Sequence, residues 1–179
     1  MERIIELIKA DSLRIEILNI VASLNLPDCY VAAGFVRNLV WDHLHNYTAS
    51  TLNDIDVVFY SRDKIDENLI VKKLAALKPN LNWQVKNQAF IHLRNLDAPY
   101  KNTVHAMEHW PELETAIGAR INKAQTIEIV APFGVDTLFA GLITHNPKRS
   151  KAIFDERVKL KNWLTVWPKL KINFNHHEN

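Results

Sequence analysis

Cysteine and glycine are both scarce in this chain of 179 residues, which contains one cysteine, Cys29, and four glycines. A single cysteine excludes an internal disulfide bond, which agrees with a reducing, cytoplasmic location. Four glycines leave no glycine-rich stretch of the kind that forms a flexible linker between domains. No run of about 18 apolar residues is present, so we expect no membrane-spanning helix. These shortages favour a single soluble domain.

Charge is unevenly distributed, although the formal net charge is only +2. Residues 148–171 contain eight Lys or Arg against two acids, Asp155 and Glu156. A basic segment of this kind can bind nucleic-acid phosphates, or it can be the solvated face of a helix. We therefore keep RNA as a candidate partner of this C-terminal helix, while the oligomeric state stays open.

Hydrophobic periodicity divides the chain into helices and strands. Helices are predicted over the first 24 residues, from Gly34 to Leu44, and over 64–77, 135–144 and 148–166. Strands are predicted over 30–33, 52–60, 82–93, 116–121 and 126–130, the last two as a hairpin. This order predicts an α+β fold (α/β mixed) with a mixed sheet flanked by helices. We expect one domain over 1–171 and a disordered end over 172–179.

Two carboxylates, Asp54 and Asp56, lie two residues apart in the predicted strand 52–60. Side chains two apart in a strand point to the same face, which places their backbones roughly 7 Å apart. Carboxylates that face together repel unless a cation lies between them, and a hard divalent ion such as Mg²⁺ suits oxygen ligands. The alternative is a pair of solvated acids on an open sheet face.

The segment before this pair predicts a strand, a turn at Gly34 and a helix. Glycine lets a phosphate approach the backbone closely, and the free N–H groups of a helix N-terminus bind anions. Arg37 lies one turn into the helix, where it can bind a phosphate or anchor the loop. An ordinary turn at Gly34 and a surface ion pair at Arg37 are the alternatives.

Residues 31–39 (VAAGFVRNL) and 54–57 (DIDV) resemble the head domain of CCA-adding enzymes and bacterial poly(A) polymerases. These belong to the polymerase-β nucleotidyltransferase superfamily. Four longer sequence segments resemble a family of small bacterial nucleotidyltransferase-like proteins. The segments are residues 83–92, 109–120, 127–139 and 157–170. The resemblance implies a polymerase-β-like nucleotidyltransferase fold over 1–171.

Three features depart from the superfamily pattern. Ala33 replaces the first of two glycines, and Asn38 replaces the usual aspartate. Nineteen residues separate Gly34 from Asp54, more than is usual. The extra loop, 42–53, either shapes a substrate pocket or marks a site that has drifted from the superfamily.

The resemblance implies transfer of a nucleoside monophosphate from an NTP, such as ATP, to an acceptor hydroxyl. It implies two Mg²⁺ or Mn²⁺ ions at Asp54 and Asp56, with Glu128 as a third catalytic carboxylate and metal ligand. The expected nucleotide-binding residues are Gly34, Phe35, Arg37, Asn38, Asn87, Gln88 and His92. Among these we expect Asn87 and Gln88 to contact a base or sugar, and Gln88 to share a strand face with His92.

Two other functions fit the same residues: a non-catalytic nucleotide- or RNA-binding module, and a partner in a regulatory or toxin–antitoxin pair. The helical neck, body and tail of CCA-adding enzymes do not fit into 179 residues, so we do not expect CCA addition by this chain alone. The string from His105 to His109 matches a zinc-peptidase pattern, but it precedes Pro111 and is typical of a helix before a proline stop.

Overall fold

Helices and short strands alternate in the computed structural model, which describes residues 1–48 and 50–174. The helices are α1 (Glu2–Lys9), α2 (Ser12–Ser23), α3 (Gly34–His45), α4 (Glu67–Leu77), α5 (Ile91–Asn95), α6 (Thr103–Met107), α7 (Asp136–Phe139), α8 (Lys151–Lys161) and α9 (Trp163–Val166). The strands are β1 (Tyr30–Ala32), β2 (Ile55–Phe59), β3 (Trp83–Asn87), β4 (Gly118–Ile121), β5 (Ile127–Val130), β6 (Leu142–Thr144) and β7 (Lys171–Asn173). Within the described ranges, no helix is both long and apolar enough to cross a bilayer.

A mixed five-stranded sheet in the order β3-β2-β1-β4-β5 forms the centre of the fold. β2 and β3 are parallel, whereas β1 is antiparallel to both of its neighbours and β4 is antiparallel to β5. β6 and β7 form a separate parallel pair. This arrangement confirms the predicted α+β fold and the predicted hairpin.

Alternation along β2 separates the hydrophobic core from the polar face of the sheet. Ile55, Val57 and Phe59 are fully buried in the main core, which also contains apolar side chains of α1, α2, α3 and α4. Burial of each such side chain stabilises the fold by about 1.5–3 kcal/mol. Because successive side chains of a strand alternate, Asp56 is directed to the opposite face.

The start of α3 is held in place by the preceding helices. Asp11 caps α2 by accepting a hydrogen bond of 3.0 Å from the amide of Arg14. The buried Arg14 side chain then donates from Nε to the carbonyl of Phe35 at 2.9 Å. This contact fixes the first turn of α3 against α2, which matters because that turn borders the candidate site.

Two predicted elements have a different structure. The strand expected over 82–93 ends at Asn87, and residues 88–95 are helical. The Asn87 side chain accepts a hydrogen bond from the amide of Ala89 and so caps the turn that ends the strand. The helix expected over 135–144 stops at Phe139, because Gly141 at φ +70 reverses the chain into β6.

The C-terminal end also differs from the prediction. Residues 172 and 173, expected to be disordered, belong to β7 and pair with β6. Their backbone partners come from a strand about 30 residues earlier, which local composition does not indicate. Residue 174 follows β7 without regular structure, and residues 175–179 of the predicted disordered end lie outside the described residues.

Candidate functional site

A cavity of about 280 Å³ lies over the start of β2 and brings the two aspartates together with the start of α3. Its lining comprises Ala33, Gly34, Arg37, Asn38, residues 50–53, Asp54, Asp56, Thr115, Arg157, Lys161, Trp163, Val166 and Trp167. A larger cavity of about 810 Å³ lies between α2 and β4, but it contains neither aspartate of the pair. The chemistry of its walls therefore makes the smaller cavity the candidate site.

Asp54 and Asp56 are positioned by β2 and β3, which are neighbouring strands at one edge of the sheet. Asp56 lies in β2 opposite Ala32 of β1 and Gln84 of β3. Asp54 directly precedes β2, and its Oδ1 accepts a hydrogen bond of 2.6 Å from Nδ2 of Asn82. The backbone of Asn82 accepts from the amide of Ile55, so the residue before β3 orients the residue before β2.

The electrostatics of the pair favour a bound cation. Burial and the neighbouring Asp54 raise the pKa of Asp56, while Arg37, Lys161 and Arg157 partly offset that rise. A raised carboxyl pKa means that the negative charge is incompletely compensated. Two carboxylate ligands suit Mg²⁺, which protein sites bind through one or two carboxylates plus waters and substrate phosphates.

The start of α3 forms the opposite wall of the cavity. The Ala33 carbonyl accepts from the amides of Val36 and Arg37 at 3.1 and 2.9 Å and so begins the helix. The amides of Gly34 and Phe35 precede these bonds and lie at the positive end of the helix dipole. A Cβ on Gly34 would lie 3.3 Å from Nδ2 of Asn38, so a larger residue at this position would press against the Asn38 side chain.

Arg37 is a buried anchor with a fixed positive charge. Its guanidinium lies over the rings of both Trp41 and Trp163, 4.6 and 4.4 Å from their centroids. It also donates to Thr115 Oγ1 at 2.5 Å and, through Nε and Nη2, to Oδ1 of Asn38 at 3.2 and 3.0 Å. Burial lowers the pKa of Arg37 to about 10, which leaves it cationic at neutral pH. Of its two predicted roles, the structure favours anchoring.

Glu128 does not reach the aspartate pair, which corrects its expected role as a metal ligand. It lies in β5, three strands from β2, and strands spaced by about 4.8 Å put these two roughly 14 Å apart. Its Oε1 accepts a hydrogen bond of 2.7 Å from Nη2 of Arg120 on the neighbouring strand. Across residues 1–48 and 50–174 there is no cluster of three or more His, Cys, Asp or Glu with metal-binding geometry, and this includes the His105–His109 string.

The other expected nucleotide contacts also lie elsewhere. Asn87 pairs with Phe59 at the far end of β2, where its side chain exchanges two hydrogen bonds with the backbone of Ser61. Gln88 lies in a helical turn after β3 and His92 in α5, so they share no strand face. The Phe35 side chain is fully buried, and Phe35 is not among the residues that line the cavity. Gly34, Arg37 and Asn38 line the cavity beside the aspartates, and their contact with a nucleotide stays a prediction.

Sequence reasoning missed the contribution of the C-terminal helices to this cavity. Arg157, Lys161 and Trp163 line it, whereas the sequence offered only a nucleic-acid-binding segment or a solvated helix face. The four-residue spacing of Arg157 and Lys161 was the available signal, since it places both on one helix face. Residues 50–53 line the cavity as well, so the loop does contribute to a pocket.

Much of the basic segment is neutralised by ion pairs, four of them with acids from elsewhere in the chain and one with Asp155 of the segment itself. The ion pairs are Lys148–Glu108, Arg149–Asp97, Lys151–Asp155, Arg157–Glu112 and, at 4.0 Å, Lys161–Asp54. A segment paired in this way presents less free charge to nucleic acid than its sequence indicates.

Comparison with known proteins gives two strong matches. A family model described as nucleotidyltransferase matches residues 19–172. A protein whose NMR structure reveals a CCA-adding enzyme head domain is 29% identical, with a TM-score of 0.87 over 98% of this chain and 96% of its own. No curated protein matches the chain.

Two larger solved proteins share the fold alone. A CCA-adding enzyme in complex with CTP is 16% identical with a TM-score of 0.53, over 86% of this chain and 38% of its own. A tRNA-processing enzyme complex is 14% identical with a TM-score of 0.52, over 88% of this chain and 43% of its own. The chain therefore spans less than half the length of each.

Proposed function

This chain belongs to the nucleotidyltransferase family, and from that premise we propose that it transfers a nucleoside monophosphate from an NTP to an acceptor hydroxyl with release of pyrophosphate. The observation that carries the proposal is the cavity in which Asp54 and Asp56 face the N-terminus of α3. Carboxylates on one wall and free amides on the other provide for a metal ion and for phosphate oxygens within about 280 Å³.

Asp54 and Asp56 would hold Mg²⁺ or Mn²⁺ in this proposal. When bound, such ions lower the pKa of the acceptor hydroxyl and neutralise charge on the departing pyrophosphate. Asn82 keeps Asp54 oriented through its 2.6 Å hydrogen bond. With Glu128 distant, the substrate phosphates and water would complete the coordination.

The chain's other residues position the nucleotide. The amide of Gly34 would donate to phosphate oxygens, and the fixed charge of Arg37 would add to the positive potential. The acceptor oxygen then attacks the α-phosphorus, the bond to pyrophosphate breaks, and the hydroxyl proton leaves to solvent. Catalysis of this kind depends on positioning and electrostatics, which a rigid helix start supplies.

The acceptor is an RNA end, a protein hydroxyl or a small molecule. Contact with RNA through the C-terminal basic helix also belongs to this proposal. Because so many neighbouring cations are ion-paired, we expect such contact to be weak and strongly dependent on salt.

The second candidate function is nucleotide binding without catalysis. It is favoured by the position of Glu128, because the described part of the chain brings no third carboxylate to the pair. Metal-dependent NTP binding without turnover is the outcome that would select this function.

The test is to incubate the protein with each labelled NTP, Mg²⁺ or Mn²⁺, and total cellular RNA or protein, and to measure pyrophosphate release. We expect Asp54→Asn and Asp56→Asn to lower the rate by at least about 100-fold, since each removes a metal ligand. Asp63→Asn, which changes an exposed carboxylate outside the cavity, is the matched control. Undiminished turnover in both site variants would show that the assignment of the pair is wrong.

Asp56→Asn has a second expected effect, on stability. Because burial and Asp54 raise the pKa of Asp56, the ionised carboxylate destabilises the metal-free fold at neutral pH. The neutral amide should therefore increase the free energy of unfolding by about 1 kcal/mol. Thermal denaturation with and without Mg²⁺ checks this: the ion should stabilise the wild type and leave the variant unchanged.

A further inference from the structure

Arg157 and Lys161 form a cationic pair on one face of α8, and both line the cavity that contains the aspartates. Residues four apart on a helix lie one above the other on the same side. Lys161 Nζ lies 4.0 Å from Oδ2 of Asp54, and the Lys161 side chain is 51% exposed. An ion pair that long and that exposed is weak, so the ammonium is free to exchange partners.

The guanidinium of Arg157 is held rigidly by Glu112. Its Nε and Nη2 donate to the two carboxylate oxygens of Glu112 at 2.6 and 3.2 Å. The Glu112 side chain is only 1% exposed, so this acid is a fixed support. Nη1 of Arg157 makes no hydrogen bond to the described residues, which leaves a donor directed away from Glu112. The bidentate contact pre-orients Arg157 for a second oxyanion.

Aromatic packing holds α9, which directly follows α8, against α3 beside the cavity. Trp41 of α3 contacts Trp163 and Trp167, with ring centroids 5.7 and 5.2 Å apart. Trp167 Nε1 donates to Oδ1 of Asp42 at 2.8 Å. Contacts between buried aromatic rings add to the stabilisation that their burial supplies. The cations of α8 therefore occupy a defined position relative to the start of α3.

We propose that Arg157 and Lys161 bind the β- and γ-phosphates of the NTP, so that the C-terminal helix is part of the nucleotide site. The inference rests on the proposed function and assigns its phosphate-binding side chains. A triphosphate carries more negative charge than the helix N-terminus and Arg37 together offset. When the aspartates take up a metal ion, Lys161 exchanges its weak contact with Asp54 for a phosphate oxygen.

The experiment measures the dissociation constants of ATP, AMP and inorganic tripolyphosphate, in Mg²⁺, by calorimetry. Lys161→Met should weaken ATP and tripolyphosphate binding about tenfold or more, because a charge-assisted contact is lost. AMP, which lacks the β- and γ-phosphates, should bind within about twofold of the wild type. Lys159→Met is the matched control, since it removes an exposed cation of the same helix outside the cavity.

Arg157 requires a paired substitution, because Arg157→Gln alone leaves the buried Glu112 without its partner. The variant is E112Q/R157Q, in which two amides replace the ion pair, with its folding verified by thermal denaturation. It should weaken ATP and tripolyphosphate in the same manner as Lys161→Met. If this variant does not fold, Lys161→Met alone decides the outcome.

The outcomes separate this inference from the function on which it rests. If Lys161→Met and Lys159→Met bind ATP equally well while Asp54→Asn loses metal-dependent binding, the phosphate-binding assignment is overturned and the proposed function stands. If Lys161→Met weakens AMP as much as ATP, the lysine acts on the site as a whole and the assignment is also overturned. Absence of binding of every NTP by the wild type contradicts both.

Discussion

At the scale of single residues, Ala33 has the least favourable backbone near the site. Its φ of 55 and ψ of −122 lie in a region that a Cβ strongly disfavours. Strain of this kind amounts to roughly 1–3 kcal/mol and persists where the surroundings fix the conformation. Here the amide of Ala33 donates to the carbonyl of Ile117 at 2.9 Å, and its carbonyl begins α3. The requirements of the helix start therefore hold the residue in place.

Ala33→Gly should stabilise the protein by about 1 kcal/mol, because relief of strain exceeds the entropy that glycine adds to the unfolded chain. Urea denaturation measures the change. Ala32→Gly is the control: it lies in β1, where glycine weakens a strand, and it should destabilise the fold. Equal destabilisation by both substitutions would mean that Ala33 is not strained.

At the scale of secondary-structure elements, Asp42 joins the parts that enclose the cavity. This buried residue of α3 accepts hydrogen bonds from Trp167 Nε1 at 2.8 Å and from the amide and hydroxyl of Ser50 at 2.8 and 2.7 Å. It thereby connects α3 both to the loop before β2 and to the end of α9. The loop and the C-terminal helices share one attachment point.

Asp42→Asn should destabilise the fold by about 2 kcal/mol. The NH2 group of asparagine cannot accept a hydrogen bond, so at least one of the three groups that donate to Asp42 would lose its acceptor. The same change should weaken ATP binding, because α9, which directly follows the helix that carries Arg157 and Lys161, loses an attachment to α3. Chemical denaturation and calorimetry test the two effects. Asp155→Asn removes an exposed i, i+4 ion pair and should change stability by no more than about 0.5 kcal/mol.

At the scale of the whole molecule, a polar network ties the segment after β3 to the C-terminal part of the chain. Asp97 accepts hydrogen bonds from Arg149 and from the hydroxyl of Tyr100. These bonds lower the pKa of Asp97 from 3.8 to about 2. The network connects residues 52 apart in sequence, so it exists only in the folded chain.

This network predicts a specific loss of stability in acid. Because the folded pKa of Asp97 lies below its unfolded value, its contribution is complete above pH 3.8 and is lost as pH falls through about 2. Asp97→Asn should lower stability at pH 7 by about 1–2 kcal/mol, allowing for solvent screening. It should also flatten the change between pH 4 and 2. Thermal denaturation across this range is the measurement, and an unaltered pH profile would exclude the network as its source.

Local periodicity was sufficient for the first part of the site. The alternation of Ile55, Val57 and Phe59 with Asp56 sets a buried and a polar face within one strand. The turn at Gly34 and the helix after it follow from equally short-range preferences. Together with the family resemblance, these features predicted the fold and the association of the aspartates with the start of α3.

The remaining features depend on which distant segments meet, and only the tertiary structure decided them. Glu128 alternates correctly along its strand, yet strand order places β5 three strands from β2. The cations of α8 reach the aspartates because Glu112 supports Arg157 across 45 residues and Asp42 bonds Trp167 across 125. The sequence by itself determined the carboxylate pair and the turn at Gly34, since each arises from neighbouring residues. Which cations face the aspartates was decided by packing between distant segments, and no local sequence pattern indicates those contacts.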